Sequence, residues 1–289
     1  MGSPSIEDLK STMLASGWCP HQINYLAQVY NTAGLQTFAS LDRSQRAVDH
    51  ARCTKAKQCI AVNIDMRNYT VKHAATCFGT GPGSDCYVVR IPYKRLIRVV
   101  KSGHVPLVSI RDSEKDGLSF RIHRRRFRDK YSSISHVWSD GLGNPVENAL
   151  PSCQVRQLQS LLDYQGQDDY AQISNYLSLR FHKMLWFDTL CIPVQPEHSD
   201  LRDRCIDSMA SIYAGSDRVF VLDKELMSIP SNKDSAETLY RIACSVWMCR
   251  SWTLQESNTS KPLFVPIFKR NLSSTQGLQV QLLSSKSET

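Results

Sequence analysis

No apolar stretch in this 289-residue sequence is long enough to cross a bilayer. Runs such as Val219–Leu222 fall far short of the roughly 20 residues that a membrane helix needs. No secretory leader is expected either. Met1-Gly2-Ser3-Pro4-Ser5-Ile6-Glu7-Asp8 offers neither a basic start nor an apolar segment behind it. Ile6 stands where a myristoylation signal wants Ser or Thr. Sequons at Asn68, Asn258 and Asn271 therefore read as chance matches. Internal repeats and low-complexity tracts are missing as well. These absences point to a cytoplasmic chain without a membrane partner. Its 42% hydrophobic and 21% charged residues suit an ordinary globular core.

Nucleotide fingerprints are scarce too. The glycine-rich loop Asp140-Gly141-Leu142-Gly143-Asn144-Pro145 lacks GxGxxG and lacks the P-loop lysine. It reads as a tight connection, in which Trp138, Gly141 and Gly143 are the residues placed to touch a ligand.

What the chain has in excess is cysteine, ten in all. A chain of this length does not need a disulfide framework, and nothing in the sequence exports it. Buried thiols, a reactive thiol or metal ligands remain. The pairs His50-x2-Cys53 and His73-x3-Cys77, with Cys59 between them, offer the donor types and short spacings that tetrahedral zinc requires. Each pair can clamp one side of an ion, with Cys19 and Cys86 in reserve. Zinc here would be a structural staple; the alternative is a set of unrelated thiols.

The formal charge is +8, and much of the excess sits in Arg121-Ile122-His123-Arg124-Arg125-Arg126-Phe127-Arg128. Such a run can meet phosphates. No nucleic-acid motif accompanies it, so a solvated edge strand with Ile122 and Phe127 facing inward is the preferred reading.

Texture divides the chain into residues 1–130, a Cys/His-containing N-terminal region; 131–270, the core; and 271–289, a polar flexible tail. Ile23, Leu26, Ala27 and Tyr30 form the stripe of a helix after Pro20. A helix ending near Val100 is closed by Gly103, and short strands are expected at 106–110 and 118–122. From Tyr131 on, strand and helix alternate. Strands are expected at 131–137, 184–187, 218–222 and 263–268. Helices are expected at 153–162, from an Asp200 cap to Gly215 with the stripe Leu201, Cys205, Met209 and Ile212, and at 236–247. Apolar strands separated by amphipathic helices imply an α/β fold: a parallel sheet with helices on both faces. Ligands of such sheets bind beyond the carboxyl ends of the strands, and those ends carry His136, Asp188 and Asp223.

Four segments carry a resemblance. Ser135-His136-Val137-Trp138-Ser139-Asp140-Gly141-Leu142-Gly143-Asn144 resembles the opening motif of fungal heterokaryon incompatibility (HET) domains. Leu185-Trp186-Phe187-Asp188-Thr189-Leu190-Cys191-Ile192 is similar to the second motif, and Arg204 through Ala214 to the helix that follows. Trp247-Met248-Cys249-Arg250-Ser251-Trp252-Thr253-Leu254-Gln255-Glu256 resembles the closing motif. The resemblance implies a TIR/flavodoxin-like parallel sheet and a role in non-self recognition and cell death. Self-association or another protein of the HET pathway would supply the partner. It also implies NAD as a substrate, with Glu256 in the place of the glutamate that NAD-cleaving TIR relatives use.

On these expectations His136, Trp138, Asp140, Asp188 and Cys191 share one edge of the sheet, where an acid, a base and a thiol can serve proton transfer or covalent chemistry. Against this, Asp188 and Glu256 can cap helices or pair with Arg250, the tryptophans can fill the core, and Cys191 can be an inert buried thiol. Incompatibility proteins typically carry a large region after this domain, and here the sequence stops soon after the closing motif. A second function therefore stays open: a stand-alone enzyme of secondary metabolism that cyclises, isomerises or rearranges a terpenoid or polyketide small molecule.

Overall fold

The computed structural model describes residues 4–43, 48–74, 77, 85–164, 183–229, 235–249, 263–268 and 275–280, the last two stretches as backbone. Glu256 and the rest of the closing motif from Arg250 lie outside the described residues.

The chain opens with α1 (Ile6–Ala15), α2 (Pro20–Val29) and α3 (Thr32–Ala39). Ser5 and Asp8 form a reciprocal capping box at the start of α1. Pro20 sits where a missing N–H costs α2 nothing, and Asn31 caps α3 through the Gly34 N–H. Leu9, Met13, Trp18, Ile23, Leu26, Leu35, Phe38 and Leu41 make a separate small core, which Cys244 joins from far along the chain. Ile23 and Leu26 face inward as expected. Tyr30 does not complete their stripe: α2 ends at Val29, and the Tyr30 ring stays 41% exposed while packing edge-on against Phe38.

Next come β1 (Val88–Arg90), α4 (Tyr93–Lys101), β2 (Pro106–Ser113) and β3 (Gly117–Arg124). Gly117, at φ +67°, takes the left-handed conformation that turns β2 into β3. The strands β4 (Ser132–His136), β5 (Ala149–Pro151), β6 (Leu185–Phe187), β7 (Arg218–Leu222), β8 (Leu263–Phe268) and β9 (Thr275–Val280) follow. β1 and β5 pair with each other. The other seven form one sheet in the order β3-β2-β6-β4-β7-β8-β9.

This sheet is mixed, which corrects the expectation of a wholly parallel one. β6, β4, β7 and β8 run parallel, whereas β2 meets β6 antiparallel, and β2–β3 and β8–β9 are antiparallel edge pairs. Tight connections suffice for antiparallel neighbours, while parallel ones need a crossover. The chain before residue 131 thus supplies two strands of this sheet, and β9 lies in the stretch read as a polar tail.

The helix α5 (Ser152–Tyr164) buries Val155, Leu158, Leu161 and Leu162, the expected stripe. Where one helix was expected after Asp200 there are two, Ser199–Asp207 and Met209–Ala214, separated at Ser208. Asp200 lies inside the first turn and not at the cap. Trp186, Phe187, Val219 and Val221 are essentially inaccessible within the main core. Each such side chain contributes about 1.5–3 kcal/mol by leaving water. Rigid strands of this kind fix where their carboxyl ends point.

Candidate functional site

Parallel pairing sets Ile134 beside Phe187 and His136 beside Leu222. His136, Asp188 and Asp223 consequently leave the sheet along one edge. His136 is 2% exposed, and its Nε2 lies 2.9 Å from Asp188 Oδ1. The Trp138 indole N–H donates to Asp188 Oδ2 at 3.1 Å, and the Thr189 backbone N–H donates to Oδ1 at 2.6 Å. Phe187 stands edge-on to the imidazole at 4.9 Å between centroids, and Trp138 tilts against it at 5.2 Å.

Burial by itself would raise the Asp188 carboxyl. The charge and hydrogen bond of His136, joined by Thr189 N–H and the Trp138 indole, outweigh it and hold the group below its ordinary 3.8. With a lowered folded-state value, the contribution of Asp188 to stability is present above about pH 4 and lost as pH falls further. Asp188→Asn is therefore expected to lose about 1–3 kcal/mol at neutral pH, and the gap to the parent protein should narrow below pH 4. Thermal unfolding at pH 7 and pH 3 reads this; an equal gap at both pH values would refute it.

The remaining carboxylates hold backbone. Asp140 accepts the Lys224 N–H at 2.7 Å, and Asp223 accepts Glu225 N–H at 2.9 Å and Trp247 N–H at 3.1 Å. Burial, then the nearby charge of Asp140, pushes Asp223 up to about 6. Cys191 is fully buried, and burial pushes its thiol up. The structure thus brings His136, Trp138 and Asp188 together and sets Asp140 and Cys191 into loop and core around them.

A cavity of about 1010 Å³ opens over this edge, lined by His136, Trp138 and Asp188 and by apolar side chains that include Val62, Ile64, Ile192 and Met209. Its size lies at the upper end of the range for small-molecule sites, roughly 300–1,000 Å³. One wall is a segment that the sequence did not nominate. Tyr69 donates its hydroxyl to the Trp138 carbonyl at 3.0 Å and packs edge-on to the Trp138 ring, while the Lys72 N–H donates to the Gly141 carbonyl at 3.1 Å. Burial pushes the Tyr69 phenol up, and the charges of Asp188 and Asp140 add to it. Gly141 has φ +85°, and a Cβ there would lie 2.4 Å from the Lys72 side chain; at Gly143 it would lie 2.8 Å from the Trp138 ring. These glycines admit protein neighbours.

The Cys/His residues gather into two groups that can hold a metal ion: Cys19, His50, Cys53 and Cys59, and His73, Cys77, Cys86 and Cys153. His50, Cys53, Cys59, His73 and Cys77, the residues nominated from the sequence, all fall in these groups, but His50 and Cys53 lie in one and His73 and Cys77 in the other, where the sequence reading had the two pairs clamp one ion. The reserve residues Cys19 and Cys86 belong to different groups, and Cys153 was missed. Counting four donors per ion would have signalled a shortage, but nothing in the spacing identifies a thiol 67 residues beyond Cys86. Among the described residues the cysteines form no disulfide.

The first half of the basic run, residues 121–124, is the end of β3, an edge strand of the sheet, beside a groove of about 1070 Å³ lined by Arg95, Arg111, Arg121, Arg124 and Arg126. Ile122 faces in, whereas Phe127 is 97% exposed. Phe127 follows the end of the strand at Arg124, where alternation no longer governs direction.

With this geometry in place, comparison with known families gives one match. Residues 131–228 match the family model described as Heterokaryon incompatibility protein (HET). The matched stretch contains His136, Trp138, Asp140, Asp188 and Asp223, and the first three resembling segments. The closing motif lies beyond it. No curated protein and no solved structure matches the chain. No helix among the described residues is long and apolar enough to cross a membrane.

Proposed function

We propose that this chain acts as a HET domain of fungal non-self recognition and cell death, working in the cytoplasm, and that the cavity over His136 and Asp188 is its working site. The observation that carries this reading is the buried His136–Asp188 pair, held on the cavity floor by the Trp138 indole. The strand order supports it. Taken by sequence, the four parallel strands lie second, first, third, fourth. This agrees with the first four places of a flavodoxin-like order, in which ligands bind at the carboxyl ends where the winding reverses. The antiparallel edge pairs are additions around that centre. A second copy, or another protein of the HET pathway, is the partner.

The proposed reaction is hydrolysis of the glycosidic bond between nicotinamide and ribose in NAD. The bond to nicotinamide breaks, water adds to the ribose carbon, and nicotinamide and one proton are released. Glu256 is assigned to the oxocarbenium-like state, by the logic of carboxylates in glycoside hydrolysis. The His136–Asp188 pair is assigned to proton transfer in this step. The Cys/His-rich region serves as a scaffold stapled by structural zinc. Purified protein incubated with NAD is expected to release nicotinamide. Glu256→Ala should abolish release, and His136→Ala should slow it by about 10²-fold or more. Folded, concentrated protein that leaves NAD intact would defeat this assignment, as would undiminished release by Glu256→Ala.

One observation favours a second reading. The apolar walls formed by Val62, Ile64, Ile192 and Met209 suit a hydrophobic terpenoid or polyketide intermediate. Its rearrangement needs shape and a few polar groups more than a cofactor. An inert NAD assay, with a changed metabolite profile on deletion of the gene, would favour this reading.

A further inference from the structure

We propose that the chain binds two zinc ions, each through three cysteines and one histidine, and that together they pin residues 60–72 as a fixed wall of the cavity. The inference deepens the structural-zinc reading and rests on it.

Geometry carries the division into two sites. In the first, His50 Nδ1 lies 3.5 Å from Cys53 Sγ and 3.7 Å from Cys59 Sγ. In the second, His73 Nδ1 lies 3.3 Å from Cys77 Sγ, 3.4 Å from Cys86 Sγ and 3.5 Å from Cys153 Sγ. Within each group all four donor atoms lie within 4.8 Å of one another. One ring nitrogen carries either a single lone pair or a single hydrogen. It cannot hydrogen-bond to three thiols at once, so hydrogen bonding does not explain their convergence. A cation at the centre does. Tetrahedral zinc, at about 2.3 Å from sulfur and about 2.0–2.1 Å from nitrogen, sets the two donor types about 3.6 Å apart. The observed separations lie around that edge length. Three thiolates and one imidazole are soft and borderline donors, which select zinc over magnesium or calcium. Four protein ligands also close the shell, the mark of a structural site.

Surrounding groups hold the ligands in place. The Ala74 N–H donates to Cys153 Sγ at 3.3 Å, and the Ser152 hydroxyl donates to Cys86 Sγ at 3.4 Å. His21 Nε2 lies 2.9 Å from the Cys53 carbonyl. Such outer contacts orient ligands and tune their basicity.

The two sites join distant parts of the chain. The first ties Cys19, just before α2, to the 3-10 turn at Ala51–Lys55 and to Cys59. The second ties His73, Cys77 and Cys86 to Cys153 in the first turn of α5. Residues 60–72 lie between Cys59 and His73 and contain no helix or strand. Connections of this length without regular structure are uncommon inside a compact domain unless something anchors or uses them. This one has an ion at either end and a use: Val62, Asn63, Ile64 and Met66 line the cavity, and Tyr69 and Lys72 dock on the loop that carries Trp138 and Gly141. Removal of either ion releases one end of the wall without touching His136 or Asp188.

The experiment uses the full chain, purified under reducing conditions without chelator. Metal analysis is expected to find two zinc ions per chain. Cys19→Ser and Cys153→Ser should each retain one. Cobalt replacing zinc in the parent chain should give thiolate charge-transfer absorption that saturates at two equivalents. Hydrogen exchange in residues 60–72 should be faster in Cys153→Ser than in the parent, while β4 and β7 keep their protection. Folded protein with no zinc and no cobalt absorption would overturn the structural-zinc reading as a whole. One ion per chain, lost by both variants, would overturn only the two-site division. Unchanged exchange in residues 60–72 would overturn the role of the ions in holding the wall. Because this is read without NAD, its outcome is separate from that of the cleavage assay.

Discussion

Arg43→Met is expected to cost the folded protein about 3–5 kcal/mol, because it leaves a buried carboxylate without its counter-charge. Arg43 donates from Nε and Nη2 to the two oxygens of Glu225, both at 2.7 Å, and the two side chains are 2% and 3% exposed. Two further donors are also used: Nη1 on Gln22 Oε1 at 2.9 Å and Nη2 on the Cys244 carbonyl at 3.1 Å. The guanidinium lies 4.3 Å from the Trp18 ring centroid. This single side chain fastens the N-terminal helices to the turn after Asp223, so its loss should loosen both. The desolvation argument adds a second expectation. Arg43→Met combined with Glu225→Met should recover much of the loss, since a buried pair replaced by apolar groups of similar volume is often neutral. Urea unfolding of the two single variants and the double variant measures the coupling. A single-variant cost below about 1 kcal/mol, the worth of a surface pair, would show that this pair is not acting as a buried one.

The sequence made the strand ends legible because their signals are local. Val219–Leu222 is apolar and stops at Asp223; Leu185–Phe187 is apolar and stops at Asp188. Parallel pairing then brings those ends together, so that His136, Asp188 and Trp138 could be nominated as neighbours before any contact was seen. Side-chain periodicity likewise identified the buried face of α5. What stayed hidden depends on pairings between remote residues. Arg43 and Glu225 are 182 positions apart, and each alone reads as a solvated charge. Cys153 sits in the first turn of an amphipathic helix, where it reads as a small core residue. The hairpin of β2 and β3 was readable from its turn, but its attachment to the sheet rests on the single registered pair Val108 and Leu185. No pattern within either strand encodes that choice, and so the sheet was read as parallel throughout. The wall at residues 60–72 has no periodicity to read, because its shape comes from what holds its ends.

Trp247 provides the second large expected effect and links the closing motif to the site. Its ring is 1% exposed, its indole N–H donates to Ser135 Oγ at 2.7 Å, and its backbone N–H donates to Asp223 Oδ2 at 3.1 Å. Ser135 immediately precedes His136 on β4, and Asp223 immediately follows β7. One residue thus braces two of the strands whose ends build the cavity floor, Ser135 through its indole and Asp223 through its backbone N–H. Trp247→Ala is expected to destabilise the protein by about 3–5 kcal/mol through the void left in the core. Trp247→Phe keeps most of the volume and removes the donor, and is expected to cost about 1–3 kcal/mol, the cost of taking one partner from a buried hydrogen bond. Denaturant unfolding separates the two contributions. Equal costs for the two variants would mean that the hydrogen bond to Ser135, and not packing, sets the stability here. The expected ordering, with alanine much the worse, makes Trp247 a packing brace whose indole N–H also fixes the strand beside His136. Trp247 then has a physical task beside the site although it does not line the cavity: its indole holds Ser135 next to His136, and its backbone N–H holds Asp223 beyond the neighbouring strand.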